Sequence, residues 1–84
     1  MAERKKAVAI RYDSSKDNAP VVVAKGFGEL AERIIKTAKE KGIPIVEDKE
    51  LTSALIGVEV FEEIPPELYR AVAKILVFVK KIRA

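Results

Sequence analysis

The sequence contains no cysteine and no histidine. The first absence excludes a disulfide framework, a thiolate nucleophile and a cysteine-based metal site. The second removes the commonest general base and the commonest transition-metal ligand. Glutamine is also absent, and Asn18 is the single asparagine. Few thermolabile residues beside abundant Lys, Glu and Arg is a composition associated with heat-adapted proteins. No apolar run approaches the roughly 20 residues needed to cross a bilayer. The opening from Met1 to Lys6 is basic, with no apolar signal-peptide region behind it. Together these absences describe a cytoplasmic chain without metal, cofactor or small-molecule chemistry.

The chain has 84 residues, enough for one domain spanning 1–84 and too few for two. A domain this small buries only roughly 60% of its unfolded surface, so its stability margin is thin. With 49% hydrophobic residues it can still form one core. The net charge of +3 is mild, and acidic residues are interspersed with basic ones. Such a balance does not by itself imply a nucleic-acid partner.

Residues Ala7 to Tyr12 form a short β-prone segment, followed by a polar, turn-rich loop from Asp13 to Asn18. Pro20 lacks an N–H and suits the first position of the β-branched run Val21-Val22-Val23-Ala24, which reads as a buried central strand ended by Lys25-Gly26. Gly28 to Lys41 is an amphipathic helix with Leu30, Ile34, Ile35 and Ala38 at helical spacing and Gly42 as its stop. Pro44-Ile45-Val46-Glu47 reads as a third strand, reached by a right-handed βαβ crossover and therefore parallel to the second. Asp48 is a good N-cap for a short helix from Lys49 to Ile56, with Leu51, Ala54 and Leu55 facing inward. Val58 to Phe61 alternates and is a connector or a brief strand. A last helix from about Pro66 to Lys81 opens on proline and Glu67. The expected fold is a small α/β domain, a mixed sheet of three to four strands surrounded by helices in the order β-β-α-β-α-α.

The last helix carries five consecutive apolar residues, Ile75 to Val79, although Leu68, Val72, Ile75, Val79 and Ile82 already supply a core-facing stripe. Either most of its circumference is buried or it shows an apolar patch to a partner, and the two can coexist.

Catalytic candidates are few. Ser14, Ser15, Thr37, Thr52 and Ser53 have no histidine to activate them, so the serine pair reads as loop. Glu47, Asp48 and Glu50 suit a helix start better than a cation site. Gly26-Phe27-Gly28 stands where a phosphate loop would, but lacks the further glycines or the Gly-Lys-Ser/Thr of such loops. Arg4, Lys5 and Lys6 at one end and Lys80, Lys81 and Arg83 at the other are solvated termini, or a basic patch if the ends meet.

Several segments in order are similar to one family: Ala7 to Asp13, Ala19 to Gly26, Ile43 to Glu47, Leu51 with Ala54-Leu55, Glu63-Ile64-Pro65, Leu68-Tyr69 and Ala71-Val72-Ala73. They resemble the C-terminal cytoplasmic domain of the FlhB type of flagellar export protein and its injectisome relatives. Full-length members precede this domain with a transmembrane region and an Asn-Pro-Thr-His motif, where the chain cleaves itself as export changes from rod and hook to filament proteins. The matching positions are Ala2, Glu3, Arg4 and Lys5, so the resemblance implies a short, free-standing relative that does not cleave itself. It also implies an apolar docking patch for early export substrates at Ala19, Pro20, Ala73 and Leu76. Implied partners are export-apparatus proteins, rod- and hook-type substrates and the hook-length control protein, with recruitment to the membrane export gate.

The family sheet gains a strand from before the cleavage motif. Its absence here is expected to open a sheet edge, which leaves a dimer, or complementation of a truncated membrane-bound export protein, as possibilities. The alternative function is a small basic nucleic-acid-binding domain, permitted by a pI near 9.3 but poor in aromatic residues for stacking.

Overall fold

A computed structural model describes residues 4–83 of the chain. The elements are β1 (Lys6–Arg11), β2 (Val21–Phe27), α1 (Gly28–Glu40), α2 (Lys49–Leu55), a single 3₁₀ turn at Pro66–Leu68, and α3 (Tyr69–Arg83). The α/β class expected from the sequence is the class observed.

β1 and β2 pair antiparallel, with Ala9 opposite Ala24 and Ile10 opposite Val22. Val23 is therefore an extra residue on β2, a bulge that bends the strand. The polar loop between the strands is tied internally. Asp17 accepts from the Arg11 guanidinium at 2.8 Å and from the Asp13 backbone N–H at 2.9 Å. Asp13 in turn accepts from the Ser15 hydroxyl at 2.6 Å and from the Ser15 N–H at 3.0 Å.

β2 is central, as its β-branched run implies: Val22 is fully buried and Val21 nearly so. Its second edge is taken by the backbone of residues 61–64. The Phe61 N–H donates to the Val22 carbonyl at 2.6 Å, the Val22 N–H to the Glu62 carbonyl at 3.1 Å, and the Ile64 N–H to the Pro20 carbonyl at 2.9 Å. A single bridge, Val21 to Glu63, results.

This pairing explains the one large departure from the sequence reading. Among the described residues the sheet has two strands rather than three to four, and residues 43–47 form no strand and no parallel crossover. The edge of β2 that a crossover strand would need is occupied by a later segment. Ile43, Ile45 and Val46 are left exposed, and Pro44 lacks a ladder donor in any case.

α1 ends as expected. Gly42 has φ of 69°, the Ile43 N–H reaches back to the Ala38 carbonyl (2.8 Å) and the Gly42 N–H to the Lys39 carbonyl (3.2 Å). This is the double bond pattern of a Schellman stop, which needs a residue at ease with positive φ. At the other end α1 lies tightly on β2. A Cβ on the buried Gly26 would sit 2.5 Å from the Leu30 Cγ and 2.9 Å from its Cβ. The inward face of α1 centres on Ala31, which is fully buried, while Leu30 is half exposed. α2 is capped by Asp48, whose carboxylate accepts from the Leu51 N–H at 3.0 Å. It buries Leu51 and Leu55, whereas Ala54 is exposed rather than inward.

The core consists of Val22, Leu51, Leu55, Ile64 and Val72, with Val8, Ile10, Leu68, Ile75 and Leu76 packed against it. α3 is thus held by Val72, Ile75 and Leu76, with Leu68 of the preceding 3₁₀ turn beside them. Val77 and Phe78 project outward at 55% and 56% exposure. Most of the circumference is therefore not buried: only Val72 is fully covered, and Ile75, Leu76 and Val79 are half-buried.

The loop carries a pH dependence. The Arg11 hydrogen bond, helped by the Asp13 N–H, holds the Asp17 carboxyl below its ordinary range. The Ser15 hydroxyl, followed by the Ser15 N–H, does the same for Asp13. Groups depressed in the folded state stabilise it above their unfolded value, about 3.9 for aspartate, and lose that contribution as pH falls through the lower folded values. The melting temperature should therefore drop on acidification below about pH 4. Asp17→Asn should flatten that drop in thermal melts; an unchanged acid slope would show that the loop does not carry it.

Candidate functional site

The four residues expected to form a docking patch are placed differently by the fold. Ala19 is 4% exposed and lies beneath the surface. Pro20 is half-buried at the start of β2, with its carbonyl fixed by the Ile64 N–H. Ala73 is exposed on α3, and Leu76 is half-buried with its side chain against the core. The two halves of the patch are joined through the interior. Ile64, bonded to Pro20, belongs to the same buried cluster as Val72, and Leu76 packs on that cluster. The accessible part is therefore Pro20, Ala73 and the outer side of Leu76, with Ala19 packed as support.

Neighbouring residues enlarge this surface. Tyr69 and Val77 lie four residues before and after Ala73, hence on the same helix face, and both are exposed. Their i, i+4, i+8 spacing is a readable signal. Phe61 is 74% exposed and has φ of 70°, a backbone state that costs a bulky residue on the order of 1–3 kcal/mol. It is held there by its N–H bond to the Val22 carbonyl. Nothing in the sequence around Phe61 signals this conformation. Among the described residues no buried polar side chain lacks a partner. The exposed carboxylates of Glu62 and Glu63 lie in the same 61–64 segment.

Of the degenerate-motif positions, Ala2 and Glu3 lie outside the described residues. Arg4 stacks over the Phe27 ring at 5.2 Å from its centroid. Lys5 lies 3.9 Å from Glu32, both well exposed, a pair contributing at most about 1 kcal/mol. The Gly26-Phe27-Gly28 segment is not an open cradle: Gly26 is buried in β2, and the Gly28 N–H donates to the Lys5 carbonyl at 2.8 Å. Lys25 reaches across to the Ile56 carbonyl at 3.0 Å. Among the described residues no group of three His, Cys, Asp or Glu side chains converges on a point, and no helix is long and apolar enough to cross a membrane.

Comparison with known proteins places this geometry in context. The model of the FlhB HrpN YscU SpaS family matches residues 4–79. The chain is 46% identical over 78 residues to the Bacillus subtilis protein YlqH, covering 93% of this chain and 84% of that one. It is 49% identical over 74 residues to the flagellar biosynthetic protein FlhB of Aquifex aeolicus, spanning 87% of this chain but only 21% of the relative. Among solved structures, the cytoplasmic domain of FlhB from Shewanella putrefaciens superposes with a TM-score of 0.89 at 35% identity, covering 93% of this chain and 64% of that one. The PscU C-terminal domain does so with a TM-score of 0.84 at 33% identity, covering 88% and 95%.

Proposed function

The chain belongs to the FlhB HrpN YscU SpaS family, and from that premise we propose that it is a non-catalytic protein-interaction module of the flagellar type III export apparatus. It contributes to the docking or specificity of export substrates at the cytoplasmic face of the export gate. The observation that carries this reading is the solvent-open apolar strip of α3, Tyr69, Ala73 and Val77, on a helix whose Val72 shares the buried cluster with Ile64, the residue bonded to Pro20. An exposed apolar strip in a chain with no cysteine or histidine suits recognition rather than chemistry. Ala19 and Leu76 support the strip from below by their packing.

The same reading makes the chain unable to cleave itself. The family's reaction needs an asparagine before a proline, and the single asparagine, Asn18, precedes Ala19. Incubated purified protein should keep one mass, corresponding to 9.3 kDa, over the time in which a full-length relative cleaves. Loss of an N-terminal fragment in mass spectrometry would remove the non-cleaving claim.

The docking claim is tested by presenting rod- and hook-type export subunits, and filament subunits as a contrast, to the immobilised chain. The proposal expects retention of the rod or hook class. Retention of none of them is the result that defeats it.

A further inference from the structure

A second exposed feature lies at the turn between α2 and the last helix. The Glu62 N–H donates to the Glu59 carbonyl at 3.0 Å, which closes a tight turn with Val60 and Phe61 at its centre. The second central position of such a turn suits glycine when its φ is positive. Phe61 stands there with φ of 70°, the one non-glycine residue of positive φ among the described residues. At 74% exposure it is also the most exposed of their large apolar side chains, and Val60 beside it is exposed too. The core gains nothing from the ring, which is neither in the buried cluster nor packed against it. Its position is nonetheless fixed. The Phe61 N–H on the Val22 carbonyl and the Val22 N–H on the Glu62 carbonyl hold the turn to the central strand.

An aromatic ring held in water on an unfavourable backbone points to a contact outside the chain. The residues on either side say of what kind. Glu59, Glu62 and Glu63 are exposed. None of them enters the ion pairs found among the described residues, Lys5 with Glu32 and Arg11 with Asp17. The segment Glu59-Val60-Phe61-Glu62-Glu63 contains no cation, in a chain whose net charge is +3. The turn therefore joins an apolar tip to flanks of one sign, opposite to that of the whole chain.

We propose that the Glu59–Glu62 turn is a contact for a segment of another protein in which apolar residues stand beside arginine or lysine. The apolar side chains of that segment cover Val60 and the Phe61 ring. Its cations pair with Glu59, Glu62 and Glu63, and an arginine also stacks on the ring face. Complementary charge fixes the choice of partner more than the affinity. A nucleic acid or an anionic membrane meets the same carboxylates as repulsion. A second copy of this chain fits poorly. Its cleft of matching character is lined by Phe27 and Leu30 and bordered by Arg4 and Lys25. Both cations are already engaged, Arg4 over the Phe27 ring and Lys25 on the Ile56 carbonyl. This inference does not rest on the docking role of α3, since Tyr69, Ala73 and Val77 take no part in it.

The test is NMR titration of the isotope-labelled whole chain with a short synthetic peptide alternating Leu and Arg. Saturable amide shifts should centre on Val60, Phe61 and Glu62 and should weaken as salt is raised. A Leu-Glu peptide and a Gly-Arg peptide should each bind about tenfold more weakly or less, because each lacks one half of the match. Phe61→Gly keeps every carboxylate and removes the ring. It should weaken binding of the Leu-Arg peptide by about thirtyfold. It should melt no lower than the parent, since glycine is at ease with φ of 70°. The proposal is overturned if the Leu-Arg peptide shifts none of these amides, or if the Gly-Arg peptide or the Phe61→Gly variant binds as tightly. It is also overturned if Phe61→Gly melts below the parent, which would make the ring a support of the fold, or if the shifts appear on concentrating the chain alone.

Discussion

Ile64→Ala should lower the melting temperature more than any other single truncation of a core side chain, by roughly 8–40 °C. Ile64 is 2% exposed in the cluster with Val22, Leu51, Leu55 and Val72. Truncation of a buried isoleucine costs about 2–5 kcal/mol, combining lost burial and the cavity left behind. For a domain of this size each kcal/mol shifts the midpoint by about 4–8 °C. The total stability expected for 84 residues is roughly 4–13 kcal/mol, so the loss is a large fraction of it. Position adds to the effect. Ile64 is the residue through which β2, the 61–64 segment and the start of the last helix are joined, by its side chain inside and its N–H on Pro20 outside. Ile64→Val should cost only about 0.5–1.5 kcal/mol, and Val77→Ala, on the exposed side of α3, within about 0.5 kcal/mol. Thermal melts of the three variants check the order. A drop for Ile64→Ala no greater than that for Val77→Ala would mean the core is not assembled as described.

Ala73→Asp should leave the fold in place and remove binding of rod- and hook-type subunits. Ala73 is exposed on α3, so the substitution adds only a helix-propensity cost of about 0.5–0.7 kcal/mol. In a docked complex the same carboxylate would be desolvated between Tyr69 and Val77, with Arg70, one turn earlier on α3, as its one nearby cation on the helix. A disrupted interface centre typically costs 2 kcal/mol or more, about thirtyfold in affinity. Leu76→Asp is the less informative variant. Its side chain packs on the core, so buried charge would weaken fold and binding together. Calorimetric titration beside a thermal melt separates the two effects. Undiminished affinity in Ala73→Asp would move the docking surface away from this face of α3.

The parts of the fold that were legible in the sequence are those decided locally. The helix from Gly28 is announced by its periodicity and its glycine stop, and the α2 cap by Asp48, because each signal acts within a turn of its element. Strand pairing is not local. Ile45-Val46 has the composition of a strand, yet whether it pairs depends on which segment occupies the free edge of β2, and residues 61–64 hold it. Burial has the same character. Leu30 and Ala54 sit near the apolar faces of their helices, yet Ala54 is exposed and Leu30, although its side chain lies against Gly26, stays half exposed while Ala31 is fully buried. For the candidate site, the resemblance placed Pro20 and Ala73 on an accessible surface. It could not separate them from Ala19, which is covered, or from Leu76, which is half spent on the core. Phe61 was invisible, since its backbone state is imposed by a hydrogen bond to a strand forty residues earlier in the chain.

The central claim is that the Pro20 edge and the outer face of α3 form the docking surface for early export substrates. Its most direct test is titration of an isotope-labelled chain with an unlabelled rod or hook subunit, followed amide by amide. The account predicts saturable shifts clustered at Ala19 and Val21 on either side of Pro20 and at Tyr69, Ala73, Leu76 and Val77, with the rest of the chain unmoved. Saturable shifts confined elsewhere, or none with any rod or hook subunit, would contradict it.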